Sequence, residues 1–173
     1  MTASSEIFLV DSDTLIKPYM SFYPFDFADR FWVQLAQHIS EGSIVILDMV
    51  KSEVECGNDE LSEWVKMIDI GRFIDHREPG IIAQYSKILD YIQKNNCYKP
   101  SALTEWSRAT SADPWLIATS IVYGYTIITF EVKNSNLNTQ NPSKSAKIPD
   151  ICSVFDVNTD DLYYMMRKLG ITL

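Results

Sequence analysis

Three short runs of apolar residues most constrain what this 173-residue chain can fold into. They cover residues 7–10, 44–47 and 125–130, and β-branched side chains are frequent in each. None of the runs alternates apolar with polar positions, as a half-buried strand would. Short continuous runs of this kind are typical of strands that are buried on both faces, the usual situation in a parallel sheet.

Segments with helical spacing of their apolar residues lie between and after these runs, at residues 27–39, 50–56, 60–70, 81–93 and 160–169. A further helix is predicted to begin at Asp113 and to end before Gly124, because Pro114 suits a first turn and glycine suits a C-terminal cap. A long polar loop is predicted at residues 133–147, and a last short strand at residues 154–157. This alternation predicts a single α/β domain, residues 1–173, with a mostly parallel sheet.

Composition argues against several classes of protein. The net charge of −8 does not suit a protein that coats nucleic acid with a basic surface, although it suits a partner that is basic where the two meet. Three scattered cysteines and two isolated histidines indicate neither a disulfide framework nor a zinc site. No signal peptide is recognisable, and no apolar run approaches the roughly 20 residues of a membrane span. We therefore expect a soluble cytoplasmic protein with no membrane partner.

Carboxylates occur where the predicted strands end and where one helix starts. Asp11 closes the first apolar run and Glu131 closes the third. Glu53 lies a few residues beyond the second run, and Asp113 opens the apolar helix. Because the carboxyl ends of parallel strands share one edge of the sheet, these side chains should gather around one crevice. Crowded carboxylates repel each other unless a cation neutralises them, so the pattern predicts a site for a hard divalent ion with oxygen ligands.

Five ordered motifs contain these carboxylates: VDSDTLI at residues 10–16, V-x-x-E at 50–53, ADPWLIA at 112–118, IITFE at 127–131 and KIPDIC at 147–152. A YPFD segment stands at residues 23–26. Together, and over the whole chain, they resemble the PIN domain superfamily of metal-dependent nucleases. The resemblance is closest to the single-domain bacterial branch that carries YPFD early and KIPD late.

The resemblance implies a compact three-layer α/β/α sandwich that cleaves RNA with Mg²⁺ or Mn²⁺ in an acidic pocket. Many small bacterial members are toxins of toxin–antitoxin pairs, which implies a protein antitoxin as partner, and homodimers are frequent. Asp11, Glu53 and Asp113 match the first three acidic positions of the family. Glu131 matches the fourth, where aspartate is commoner, and Asp150 matches a late carboxylate of the closer branch.

These residues suit phosphodiester hydrolysis, in which one or two divalent ions about 4 Å apart activate water and neutralise the phosphate. We expect Asp11 and Asp113 to be the principal metal ligands, and Glu53 to bind metal or to orient water. Glu131 and Asp150 would act in a second metal site or in the outer shell.

Supporting roles are expected for the Thr129 hydroxyl, which could hold a ligand or a bound water, and for Asp13, which makes the pocket more anionic. Three basic residues are candidates for contact with the substrate phosphates: Arg108, Lys133 and Lys147. The two histidines, His38 and His76, are interpreted as ordinary surface or partly packed residues rather than catalytic ones.

Other interpretations are open from the residues alone. Asp113 before a proline is also a good helix N-cap, and Asp11 could simply end a strand. The D-x-D of Asp11 and Asp13 resembles the opening motif of haloacid dehalogenase-like phosphatases, in which Asp11 would be a nucleophile. The third alternative is a PIN-like fold that serves as a binding module with a degenerate pocket.

Overall fold

The computed structural model describes residues 6–173 and contains a five-stranded sheet in which every strand pair is parallel. The strands are β1 (Phe8–Val10), β2 (Ile44–Leu47), β3 (Phe73–Ile74), β4 (Thr126–Ile128) and β5 (Thr159–Asp160). Helices cover the sheet, so the chain is a three-layer α/β/α sandwich. The predicted fold class is confirmed.

The helices follow the strands in the order expected for parallel connections. They are α1 (Ser12–Lys17), α2 (Asp29–Glu41), α3 (Asp48–Glu55), α4 (Glu60–Lys66), α5 (Pro79–Lys94), α6 (Pro100–Trp106), α7 (Asp113–Tyr123), α8 (Ile148–Val154) and α9 (Leu162–Leu169). A π-helical turn (Pro18–Phe22) extends α1, and a short 3₁₀ turn (Ile70–Arg72) leads into β3. Among residues 6–173, each helix is too short or too polar to cross a membrane.

Strand β1 is the centre of the molecule. Phe8, Leu9 and Val10 are all fully buried, because helices pack on both faces of β1. In the sheet, Leu9 pairs with Val45 of β2 on one side and with Ile127 of β4 on the other. The continuous apolar runs of the sequence therefore form the three central strands, as the pattern predicts.

The strand order places a crevice beside β1. Along the sheet the order is β3-β2-β1-β4-β5, so the chain moves outward from β1 in one direction through β2 and β3, and then continues on the other side with β4 and β5. The connections after β1 and β4 leave the sheet in opposite directions, which opens a gap at the carboxyl ends of these two strands. Ligands of open α/β sheets bind at such switch points.

The end of the chain departs from the sequence-based prediction. The predicted strand at residues 154–157 is wrong, because Val154 is the last residue of α8 and Asp156 has a left-handed backbone (φ 57°) that an extended strand does not allow. The edge strand is instead the polar pair Thr159–Asp160, which pairs with β4. The helix predicted from residue 160 begins at Leu162. The Asp161 side chain caps this helix, because it accepts a hydrogen bond from the backbone N–H of Tyr164.

Truncation of Leu9 tests the central position of β1. Leu9→Ala should lower the free energy of unfolding by about 3–4 kcal/mol, because it leaves a cavity between the two helical layers. Urea unfolding followed by circular dichroism measures this loss. Val33→Ala on the exposed side of α2 is the matched control and should change stability by less than about 0.5 kcal/mol. Equal losses in the two variants would contradict this account of the core.

Candidate active site

Asp11 lies at the switch point, directly after β1. Its backbone N–H donates to the carbonyl of Ile128 at 3.0 Å, which ties it to the end of β4. The side chain is only 6% exposed; Oδ2 accepts the Thr129 hydroxyl at 2.8 Å, and Oδ1 has only the long 3.4 Å contact with the Ser12 hydroxyl. The carboxylate does not cap α1, so it is free of that local structural role.

Asp113 is the second carboxylate of the crevice, and it is partly buried. It is the first residue of α7, and Ala112 precedes it at the cap position, so the interpretation of Asp113 as the N-cap is wrong. The positive end of the helix dipole points toward this part of the crevice and partly offsets negative charge there. The position of Asp113 places a carboxylate beside Asp11 without engaging it in helix capping.

The pKa values of both aspartates show that the crevice carries uncompensated negative charge. Burial, followed in order by the charges of Asp11, Glu131, Glu53 and Glu105, raises the pKa of Asp113 from its ordinary value of 3.8 to about 7. Burial also raises the pKa of Asp11 to about 6; the hydrogen bond from Thr129 opposes this shift, while the charges of Asp13 and Glu131 add to it. The two ionised forms are thus costly unless a cation is bound.

Glu131 belongs to the cluster but already has partners of its own. Oε1 forms an ion pair with Lys147 Nζ at 2.7 Å, and Oε2 accepts the backbone N–H of Ile148 at 2.7 Å. Its own backbone N–H donates to the Thr129 hydroxyl at 3.1 Å. Glu131 therefore fastens the start of α8 to the end of β4, and Lys147 offsets part of the negative charge at the crevice.

Asp150 and Asp13 are also engaged locally. Both oxygens of Asp150 accept the backbone N–H of Asn134, at 3.1 and 3.2 Å, and burial raises its pKa. Asp13 forms an ion pair with Lys17 at 2.7 Å on the exposed side of α1. Asp150 thus orders the loop after β4, whereas Asp13 acts on the crevice only through its charge.

Glu53 and Glu105 lie at the rim of the crevice. Both side chains are exposed, and the charge of each raises the pKa of Asp113. Glu53 is a predicted site residue, whereas Glu105 was missed because it sits on the unpredicted helix α6 and follows no apolar run. Of the predicted phosphate contacts, Arg108 and Lys133 are exposed, and Lys147 is the one that reaches the acidic cluster.

The donor set suits a hard divalent cation, since it consists of carboxylate and hydroxyl oxygens. Among the described residues, no three of the predicted carboxylates have oxygens within 4.8 Å of one another. Asp11 and Asp113 would therefore hold an ion with most of its water shell retained, as Mg²⁺ usually is. The described carboxylates of the crevice thus do not form a closed cage of protein ligands.

A second polar cluster lies further along the same edge, after β2 and β3. Asp48, Asp75 and His76 are the one group among residues 6–173 whose potential ligand atoms all lie within 4.8 Å, a spacing that could hold a metal. Asp75 is paired with Arg77 through two 2.9 Å contacts, which lower its pKa to about 2. The only sequence signal for this cluster is that Asp48 and Asp75 each follow apolar residues.

The pH dependence of stability tests the charge of the crevice. A folded-state pKa of about 7 against 3.8 means that Asp113 favours folding when it is protonated; this contribution is complete below about pH 4 and is lost as the pH rises through 7. In EDTA at pH 8, Asp113→Asn should therefore raise the free energy of unfolding by on the order of 2 kcal/mol. The gain should fall to less than half of this value at pH 5 and should nearly vanish at pH 4.

Thermal and urea unfolding at these pH values measure this difference. Asp90→Asn is the matched control, because Asp90 is an exposed carboxylate on α5 that pairs only with Lys94. The control should change stability by less than about 0.5 kcal/mol at each pH. A destabilising effect of Asp113→Asn at pH 8 would contradict the proposed crowding of charge.

Comparison with known families covers nearly the whole described chain. A family model described as "Domain of unknown function (DUF4411)" matches residues 8–173, which include every strand and every candidate site residue. A search of curated protein sequences finds no match. The chain therefore belongs to the DUF4411 family.

Proposed function

We propose that this protein is a PIN-like endoribonuclease that hydrolyses RNA phosphodiester bonds with Mg²⁺ or Mn²⁺. The single observation that carries the proposal is the pair of aspartates at the switch point, the buried Asp11 and the partly buried Asp113, whose pKa values are raised to about 6 and about 7. Buried groups with perturbed pKa values in a crevice mark functional sites more often than structural ones. The sequence motifs that resemble PIN nucleases contain these same two residues.

The crevice offers distinct tasks to its residues. Thr129 fixes Oδ2 of Asp11 by donating a hydrogen bond, so the orientation of that carboxylate is set before a substrate arrives. Asp11 and Asp113 would hold the cation, and Glu53 at the rim would orient water. A bound divalent ion supplies positive charge for the phosphate oxygens and lowers the pKa of attacking water. Lys147 offers a second positive charge beside the cluster for a neighbouring phosphate.

The net charge makes the metal necessary for this activity. With −8 on the chain and an acidic crevice, RNA phosphates are repelled unless cations reverse the local field. The same charge suits a basic protein partner, which is consistent with the toxin half of a toxin–antitoxin pair located in the cytoplasm. Asp11→Asn should then abolish the growth arrest that expression of the wild-type chain is expected to cause.

Substitution of the two aspartates tests the nuclease. Asp11→Asn or Asp113→Asn should reduce cleavage of a fluorescent single-stranded RNA in Mn²⁺ by at least about 10²-fold, because each removes a charged ligand while keeping its shape. EDTA should abolish cleavage by the wild-type protein. Asp90→Asn is the control and should retain full activity. Undiminished cleavage by both site variants would refute the assignment.

Two further measurements separate the alternatives. Calorimetric titration with Mn²⁺ should show binding to the wild-type protein that is lost in Asp11→Asn; absence of binding would favour a degenerate binding module. Hydrolysis of p-nitrophenyl phosphate without cleavage of RNA would favour the phosphatase, in which Asp11 attacks phosphorus. In that case catalysis would depend on Asp11 and would pass through an intermediate in which the Asp11 side chain is phosphorylated.

A further inference from the structure

A cavity of about 460 Å³ adjoins the acidic crevice on the side of β2 and β3. Its lining includes Glu53 from α3, His76 after β3 and Thr110 before α7. Glu53 connects the two spaces, because it lines this cavity and its charge also raises the pKa of Asp113. The volume lies within the range of small-ligand sites, roughly 300–1,000 Å³, so the cavity can admit the sugar and base next to a phosphate in the crevice.

His76 is held in a fixed orientation on the wall of this cavity. Its Nδ1 lies 2.9 and 2.8 Å from the two oxygens of Asp48, and its backbone N–H donates to the same carboxylate at 3.3 Å. The ring packs edge-on against Trp115 at 4.9 Å, and Trp115 in turn stacks on Tyr85 at 3.7 Å. With Nδ1 taken by Asp48, the imidazole has Nε2 left for a proton or a ligand.

The contacts of this cluster favour a proton donor over a metal ligand. Asp75, the third member, is already paired with Arg77 through both carboxylate oxygens. Asp48 is bonded to the ring and to two backbone N–H groups, those of Met49 and His76. Each negative charge therefore has its own cationic or N–H partner, unlike the charges of Asp11 and Asp113. An aspartate hydrogen-bonded to Nδ1 also fixes the orientation of the imidazole ring.

The departing oxygen needs a proton donor, and the groups of the acidic crevice have other tasks in the proposed reaction: Asp11 and Asp113 would hold the cation, and Lys147 is paired with Glu131. Glu131 is held by Lys147 and Ile148, and Asp150 by Asn134, so these two carboxylates are already engaged. A single ion that activates water leaves the sugar oxygen to depart as an alkoxide, which is a poor leaving group without a proton. His38, the other histidine, cannot serve, since it bonds Ser43 at the opposite, amino edge of β2.

We propose that His76 is the general acid of the reaction, an inference that rests on the proposed nuclease function. The attacking water forms a bond to phosphorus and loses one proton to solvent. The bond from phosphorus to the sugar oxygen breaks, and its electron pair stays on that oxygen. The oxygen takes the proton from Nε2 of the imidazolium, whose Nδ1 proton remains bonded to Asp48. Solvent then returns a proton to the neutral ring.

A sulfur-substituted substrate tests this role directly. The preferred cleavage position is first mapped with the wild-type protein in Mn²⁺, and the same RNA is then made with sulfur replacing the leaving bridging oxygen. A thiolate departs without a proton, so cleavage of the sulfur-substituted RNA does not need a general acid. His76→Gln should lower kcat on the oxygen substrate by about 10²–10⁴-fold, and its rate on the sulfur substrate should lie within about tenfold of wild type.

Controls separate this role from a structural one. His38→Gln should cleave both substrates at the wild-type rate, and His76→Gln should bind Mn²⁺ with unchanged affinity. Asp48→Asn, which keeps the ring but removes its charged acceptor, should show the same rescue by sulfur with a smaller initial loss. Equal slowing of His76→Gln on both substrates, or full activity on the oxygen substrate, would overturn the proposal. Absence of metal-dependent cleavage by the wild-type protein would instead remove the nuclease function itself.

Discussion

The structure depends on two carboxylates, the buried Asp11 and the partly buried Asp113, that lie where the chain reverses its direction across the sheet. Burial alone accounts for the largest part of the rise in both pKa values, and neighbouring carboxylates add to it. Such an arrangement costs folding free energy at neutral pH, which natural proteins tolerate mainly at functional sites. A divalent cation would remove that cost, and its binding energy would then be part of the stability of the fold.

The surrounding framework positions the carboxylates and limits their number. Thr129 connects two members of the cluster, since its hydroxyl donates to Asp11 and accepts the N–H of Glu131. Glu131 is in turn fixed by Lys147 and by the start of α8. The crevice thus divides into an unneutralised part around Asp11 and Asp113 and a neutralised part around Glu131. In the proposed reaction, a cation would bind in the first part, and His76 would protonate the leaving group.

The sequence was sufficient for the features that follow from hydrophobic pattern and from topology. The buried strands are continuous apolar runs, and any residue directly after such a run reaches the same edge of a parallel sheet. This rule places Asp11 and Glu131 together, whereas Asp113 follows no strand and was assigned to the crevice as the first residue of an apolar helix. The edge strands β3 and β5 could not be found in this way, because they have two residues each and are not fully buried.

The hydrogen-bond and ion-pair partners of the side chains could not be predicted from the sequence, for a different reason. The pairing of Asp48 with His76 joins residues 28 positions apart, and Lys147 reaches Glu131 across 16. Each pairing depends on the path of a loop and on rotamers that periodicity does not encode. His76 looked ordinary in sequence because it stands in no motif, and its importance follows only from Asp48, Trp115 and the adjoining cavity.

The most direct measurement is the carboxyl titration of Asp11 and Asp113 by ¹³C NMR on aspartate-labelled protein, with and without Mg²⁺. The account predicts pKa values near 6 and near 7 in the metal-free protein, and a fall of both values below about 5 when Mg²⁺ is present, because the ion favours the charged forms. Titration of both groups near 4, with no response to Mg²⁺, would contradict the central claim.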